Sequence, residues 1–241
     1  LFGLCPFHGE KTASFSVAPD KGIYYCFGCH KGGGVINFQM EIEGLSYPDA
    51  VRALAKRAGL TVPEDELYES RYKQQERLWA LHKEAARFFH SQLYAPVGKE
   101  ALEYALGRGL TKATLTTFGI GYAPDSWDSM VKAMRAKGYT EQELKDSGLV
   151  TVSQKNGNLF DRFRGRLMFP IIDVRGNVIA FGGRIIKNDQ DTAKYLNSPE
   201  TLIFNKRKNL FGLNLAKKSK QGSLILVEGN IDVVTLRQYG F

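Results

Sequence analysis

The 241-residue sequence contains no apolar run near the roughly 20 residues needed to cross a bilayer. A helix built to span a membrane is therefore excluded. The opening residues also lack the charged start, apolar centre and small-residue cleavage site of an export signal. Nothing in these residues argues for export. Cysteine is scarce, with three residues, all among the first thirty. An odd number without an export signal argues against a disulfide framework. There is no internal repeat and no low-complexity segment. The sequence opens on Leu1 rather than Met and stops at Phe241 in mid-pattern, so a fragment cut at both ends is expected.

The residues present describe a globular chain with a lopsided charge. Hydrophobic residues make up 43% and charged residues 24%, ordinary for a packed domain. The length suits one large or two small domains. The net charge is +8. Arg162 to Lys220 holds 13 Lys/Arg against four Asp/Glu, a net of +9, so the remainder sums to −1. A localised basic block suits a phosphate-backbone partner, but a solvated cationic face or an acidic membrane surface fits the count equally well.

The cysteines are more specific. Cys5-Pro-Phe-His8 is followed, after 17 residues, by Cys26-Phe-Gly-Cys29. Two close pairs separated by a hairpin-sized gap have the spacing of a zinc site. The gap reads as an extended Ser14–Val17, a turn at Pro19-Asp20-Lys21-Gly22, and an extended Ile23–Tyr25. Three thiolates and one imidazole complete a tetrahedron around Zn²⁺ and leave no position for water, so the expected role is structural. Two other readings stay open. Cys26-Phe-Gly-Cys29-His30 also spells the attachment signature of a c-type haem, although that leaves Cys5 and His8 unused. The three cysteines could also be a chance cluster. His30 could compete with His8 as fourth ligand.

Around the ligands stand Phe7, Lys11, Phe15, Tyr24, Tyr25, Phe27 and Lys31. Rings interleaved with cations suit unpaired bases and their phosphates. They also suit the small core of a zinc ribbon. That core role is expected for Phe7 and Phe27, and an exposed surface for Lys11, Tyr25 and Lys31.

Beyond the ribbon, Val35–Glu41 reads as helix. Ser46-Tyr47-Pro48-Asp49 opens another that Gly59 ends, with Val51, Leu54, Ala55 and Ala58 as its apolar face. Residues 61–75 are charged and poor in core residues, a candidate linker. Helices are expected over about 72–94, 99–107, 112–118 and 126–137, and Thr140 with Glu143 forms a capping box for one more. His82 and His90, on the first of these, read as surface or boundary residues. Strands follow at Leu149–Val152, Leu167–Val174 and Val178–Ile186, with turns at Asn156-Gly157 and Arg175-Gly176-Asn177. Arg162, Arg164 and Arg166 alternate, so on a strand they would present a row of guanidiniums on one face. Leu224–Val227 reads as a buried parallel strand with Glu228 at its carboxyl end, where open α/β sheets place ligands. A carboxylate there can hold a divalent metal or take a proton. Asp232 either supports that site or caps the helix after it.

Four segments, in order along nearly the whole chain, resemble bacterial replicative DNA primases. They are Cys5 to Phe15 with Tyr25 to Cys29; Arg162 to Ile171 with Asp173 to Arg184; Lys194 to Lys206; and Leu224 to Val234. The resemblance implies an α+β protein. It would comprise a zinc ribbon over 1–60, a linker over 61–75, a mixed helix-and-strand basic subdomain over 76–221, and the start of a Toprim α/β fold over 222–241. It implies an enzyme of the bacterial cytoplasm, at the replication fork, that makes short RNA primers on single-stranded DNA from ribonucleoside triphosphates with Mg²⁺ or Mn²⁺. It implies template contacts at Arg162, Arg164, Arg166, Lys194, Tyr195, Asn197 and Lys206. Glu228, with Asp232, would carry the chemistry and hold magnesium. The family's replicative helicase binds through a region absent here, and its second acidic cluster would lie past Phe241. The 241 residues are therefore expected not to polymerise. A zinc-ribbon module that binds single-stranded DNA without catalysis is the alternative. Three positions depart from the family pattern. Ala13 stands for a usual proline, His30 for a usual glycine, and Asn230 for a common aromatic.

Overall fold

The computed structural model describes residues 1–62, 66–187, 192–219 and 223–241, with side chains not described at 66–68. The chain is α+β and divides into two compact units, Leu1–Tyr68 and Glu69–Phe241.

In the first unit a four-stranded antiparallel sheet runs in the order β1 (Phe2–Gly3), β2 (Phe15–Ala18), β3 (Ile23–Cys26), β4 (Gly32–Gly34). The expected hairpin is present. Phe15 pairs with Cys26 and Ala18 with Ile23, and the chain reverses through Pro19–Lys21 onto Gly22. Helices α1 (Val35–Glu43) and α2 (Tyr47–Arg57) follow. Ser46 caps α2 by accepting the Asp49 N–H. On α2 the buried residue is Ala50, and Ala58, expected on the apolar face, is exposed. Ala58 lies beyond the last helical residue, so the helical period no longer aims it inward.

The second unit is built on α3 (Glu66–Tyr94), which begins inside the expected linker. Residues 63–65 of that linker, and the expected domain boundary at 221–222, lie outside the described residues. From Glu66 onward the segment is rich in Glu, Arg, Lys and Gln, which are good helix formers, and its polarity made it read as loop. Further along, Leu78, Leu81, Ala85, Phe89 and Leu93 form one buried face. His82 lies on that face and is fully buried, so it is a core residue rather than a surface one.

Then come α4 (Lys99–Gly107), α5 (Lys112–Thr117), β5 (Gly121–Ala123), α6 (Ser129–Ala136), α7 (Glu141–Asp146), β6 (Val150–Val152) and β7 (Leu159–Asp161). The long hairpin β8 (Arg166–Ile172) and β9 (Val178–Ile185) forms the centre of an antiparallel sheet ordered β10-β9-β8-β5, with β10 at Tyr195–Asn197. Both faces of this sheet are covered. Met168 joins a core with Leu81, Phe89, Met134 and Phe181, whereas its neighbours Leu167 and Phe169 join another with Leu93, Ala105, Leu115 and Val234. The strand period of two divides β8 between the two cores. Helices α8 (Leu213–Ala216) and α9 (Asn230–Gln238) close the chain. Gln238 anchors α9 by accepting from Thr111 N–H at 2.9 Å and donating to Gly109 O at 2.8 Å.

Two expected strand features are absent. Arg162, Arg164 and Arg166 do not share a strand. β7 ends at Asp161 and β8 starts at Arg166, and Gly165 between them turns the chain at φ 59°. Leu224–Val227 forms no strand either. Among the described residues no strand lies alongside it to take its N–H and C=O groups, and Leu224, Ile225 and Leu226 stay exposed.

Candidate functional site

Two knuckles bring four ligand atoms together. Cys5 and His8 lie on the loop between β1 and β2, Cys26 closes β3, and Cys29 follows it. All four atoms lie within 4.8 Å of one another. Cys5 Sγ is 3.8 Å from Cys29 Sγ, and Cys26 Sγ is 3.8 Å from His8 Nδ1. A tetrahedron with Zn–S bonds of about 2.3 Å has S···S edges of about 3.8 Å. The donor set therefore fits one zinc ion with no open position. His30 is not in the cluster. It is exposed, lies 3.1 Å by Nδ1 from Tyr25 Oη, and has φ 60°, a conformation natural to glycine.

The surroundings prepare the ligands. Cys5 Sγ accepts the Phe7 N–H and Cys26 Sγ the Cys29 N–H, both at 3.4 Å. Burial pushes the Cys5 thiol up to about 11. Burial also opposes the Cys26 thiolate, but donors from Ser14, Cys29 and Gly28 outweigh it and bring Cys26 down to about 6. Glu10 clamps the site from outside. Its Oε1 accepts Cys5 N–H at 2.7 Å and Ser14 N–H at 3.1 Å. Its Oε2 accepts the Ser14 hydroxyl and lies 3.2 Å from His8 Nε2. With Nδ1 turned to the cluster, a proton on Nε2 points at Glu10, which fixes tautomer and ring orientation. Gly28 leaves room for that ring, because a Cβ there would fall 2.7 Å from His8 Nε2.

Phe7 packs with Phe15, Tyr24 and Phe38 as the core of the ribbon. Phe27, expected in that core, is instead 61% exposed and stacks on Phe2. Its position between two ligands fixes its backbone but turns the ring outward. Tyr25 and Lys11 are exposed, and Lys31 is exposed but paired with Glu41.

In the second unit, the expected site residues divide into surface and interior. Arg166 is buried; Nη1 donates to Gly183 O at 3.2 Å and Nη2 to Ala193 O at 2.9 Å. Burial, then the Arg164 charge, lowers its pKa. Arg162 Nη2 donates to Asn197 O at 3.3 Å, which joins the 162–165 bend to β10. Lys194, Tyr195, Asn197 and Lys206 are exposed. Arg184, missed as a site residue, is held between Tyr104 Oη at 2.6 Å and Tyr195 Oη. Among the described residues no ion pair uses Arg162, Arg164, Arg166, Arg184, Lys194 or Lys206, whereas Arg77, Arg87, Arg135 and Lys137 of the helical layer are all paired with glutamates. The sequence showed the cations, but their pairing is a tertiary fact.

Glu228 is exposed just before α9, and Asp232 lies in the first turn of that helix, whose N-cap is Gly229. Asp232 is thus inside the helix rather than its cap. A cleft of about 640 Å³ brings Glu228 and Asn230 to the same surface as Asn197 and Lys206. No helix among the described residues is long and apolar enough to cross a membrane.

Residues 1–70 match the family described as the CHC2 zinc finger, and residues 88–217 match the N-terminal domain of the DNA primase catalytic core. The chain is 46% identical to a DNA primase of Clostridium acetobutylicum over 99% of its own length and 39% of the relative's. It is 45% identical to one of Deinococcus radiodurans over 100% and 41%. It thus spans about two fifths of the length of these curated relatives. Among solved structures, a primase catalytic domain bound to single-stranded DNA matches with a TM-score of 0.64 and 42% identity, covering 70% of this chain and 54% of that one. The Aquifex aeolicus primase, with zinc-binding and RNA polymerase domains, matches at 0.53 and 36%, covering 88% and 50%.

Proposed function

The chain belongs to the DNA primase family, and from that premise we propose that it is the template-holding part of an enzyme that lays RNA primers on single-stranded DNA. Residues 1–60 are its zinc ribbon, 76–221 its basic subdomain and 222–241 the start of its Toprim domain. Cys5, His8, Cys26 and Cys29 hold zinc, which stiffens a ribbon too small to fold on its own core. Arg162, Arg164, Lys194, Tyr195, Asn197 and Lys206 meet the template, and Arg166 shapes the β8–β9 edge beneath them. Glu228, with Asp232, serves the metal-dependent joining of ribonucleoside triphosphates, where Mg²⁺ or Mn²⁺ neutralises developing phosphate charge. A replicative helicase partner follows from the family alone.

One observation carries this reading. Asn197 and the unpaired cation Lys206 line the same cleft as Glu228. A strand lying along those residues would be delivered to the acid. The test is binding of a fluorescent single-stranded oligonucleotide to the 241-residue chain. Lys194→Glu and Lys206→Glu, both at exposed positions, should each weaken binding several-fold at low salt. Unchanged affinity in both variants would contradict the reading.

A further inference from the structure

Two histidines flank the ribbon's cysteines, and the ligand cluster takes one of them, His8. The residue that separates the two is Glu10. Its carboxylate is held at four points. Oε1 accepts the N–H groups of Cys5 at 2.7 Å and Ser14 at 3.1 Å, and Oε2 accepts the Ser14 hydroxyl and stands 3.2 Å from His8 Nε2. Each oxygen thus faces two donors, a set that only a group accepting on both oxygens satisfies. The Glu10 side chain is 12% exposed, and among the described residues it meets no Lys or Arg. An enclosed carboxylate without a cationic partner depends on its hydrogen-bond donors. Ser14 Oγ also lies 3.2 Å from Cys26 Sγ, so Glu10 reaches, directly or through Ser14, three of the four ligands.

His30 is held by other contacts. Its N–H donates to Cys26 O at 2.9 Å, its backbone turns at φ 60°, and its Nδ1 lies 3.1 Å from Tyr25 Oη on the exposed face. Of the two rings, His8 alone has a carboxylate within ion-pair distance among the described residues. A neutral imidazole binds metal through the nitrogen that lacks the proton. Glu10 takes the His8 Nε2–H, which leaves Nδ1 bare and 3.8 Å from Cys26 Sγ. We propose that Glu10 is a positioning residue that selects His8 over His30 as the fourth ligand, by fixing the His8 tautomer and not only by bracing the loop. The selection rests on the zinc reading above.

The test is the zinc affinity of the 241-residue chain, measured by competition with a coloured chelator. Glu10→Gln and Glu10→Ala should each bind zinc about tenfold or more weakly. The amide of Glu10→Gln has nearly the shape of the carboxylate but turns an NH₂ donor toward one of the donor pairs. His30→Gly should stay within about twofold of wild type. A thiolate has no tautomer to select, so in a His8→Cys background Glu10→Ala should weaken binding by less than about threefold. At saturating cobalt(II), Glu10→Ala should keep the charge-transfer absorption of three thiolates, which an unfolded ribbon would lose. If Glu10→Ala weakens zinc equally in both backgrounds, or abolishes that absorption, Glu10 braces the loop and does not select the ring, and the proposal is overturned. It is overturned as well if His30→Gly binds as weakly as His8→Ala, an outcome that leaves the zinc reading standing. If the wild-type chain takes up no zinc, both readings fall.

Discussion

His82 illustrates how far a single residue can depart from its sequence reading. Its ring stacks on Phe181 and its Nδ1 lies 2.8 Å from Leu78 O, inside the core beneath the sheet. Burial pushes its pKa from 6.5 down to about 4, so the folded unit holds it neutral. The unfolded chain binds the proton first as pH falls. The stability it contributes is therefore complete above about 6.5 and is lost progressively towards 4, on the order of a few kcal/mol. Urea unfolding followed by tryptophan emission reports this unit alone, since Trp79 and Trp127 both lie within it. The midpoint should fall between pH 6.5 and 4 in wild type and fall much less in His82→Leu. Equal falls would place the titration elsewhere. The burial was legible in principle, because His82 follows Leu78 by four on a face continued by Ala85 and Phe89. The zinc ligands were legible outright, because their spacing is covalent. The stacking of the Arg164 guanidinium on Trp127 was not, because it spans a fold of the chain that no local pattern encodes.

Elements were most legible where capping and period agree. Thr140 accepts the Glu143 N–H, and Glu143 answers by accepting the Thr140 N–H at 2.8 Å, the capping box read from sequence. Glu143 also receives Arg77 from α3, which together with the cap holds its carboxyl down at about 2. Thr140→Ala should cost about 1 kcal/mol, a fall of about 2–4 °C in Tm for a unit of this size. Glu143→Ala should cost more, because α3 loses its partner too. A smaller loss for Glu143→Ala would mean that the Arg77 contact contributes nothing. Elements failed to follow the sequence where a strand needed a neighbour. Leu224–Val227 has the composition of a buried strand, yet composition supplies no ladder. The arginine alternation at 162–166 has the period of a strand, yet Gly165 bends it. The start of α3 was hidden because polar helix formers resemble a linker when no apolar stripe runs through them.

At the scale of the molecule, the two units answer different questions. The ribbon is a closed zinc centre with Phe2, Tyr25 and Phe27 turned outward. The larger unit carries Arg162, Arg164, Lys194 and Lys206, which have no acidic partner among the described residues. Among the described residues the Cys5–Cys29 cluster is the one grouping of three or more metal-type ligands, and Glu228 belongs to no such grouping. The 241 residues should therefore hold template but make no primer when given template, ribonucleotides and Mg²⁺. Labelled primers in that assay would refute the incomplete metal site. Cations of the larger unit without acidic partners among the described residues are expected to bind a phosphate backbone. The most direct measurement of this is the salt dependence of oligo(dT) affinity for the 241-residue chain. Each phosphate contact to a single strand contributes about −0.7 to the slope of log K against log salt. The expected slope is steeper than about −2 and is made shallower by Lys194→Glu and Lys206→Glu. A flat slope, or a steep one that both variants leave unchanged, would contradict backbone binding by these cations.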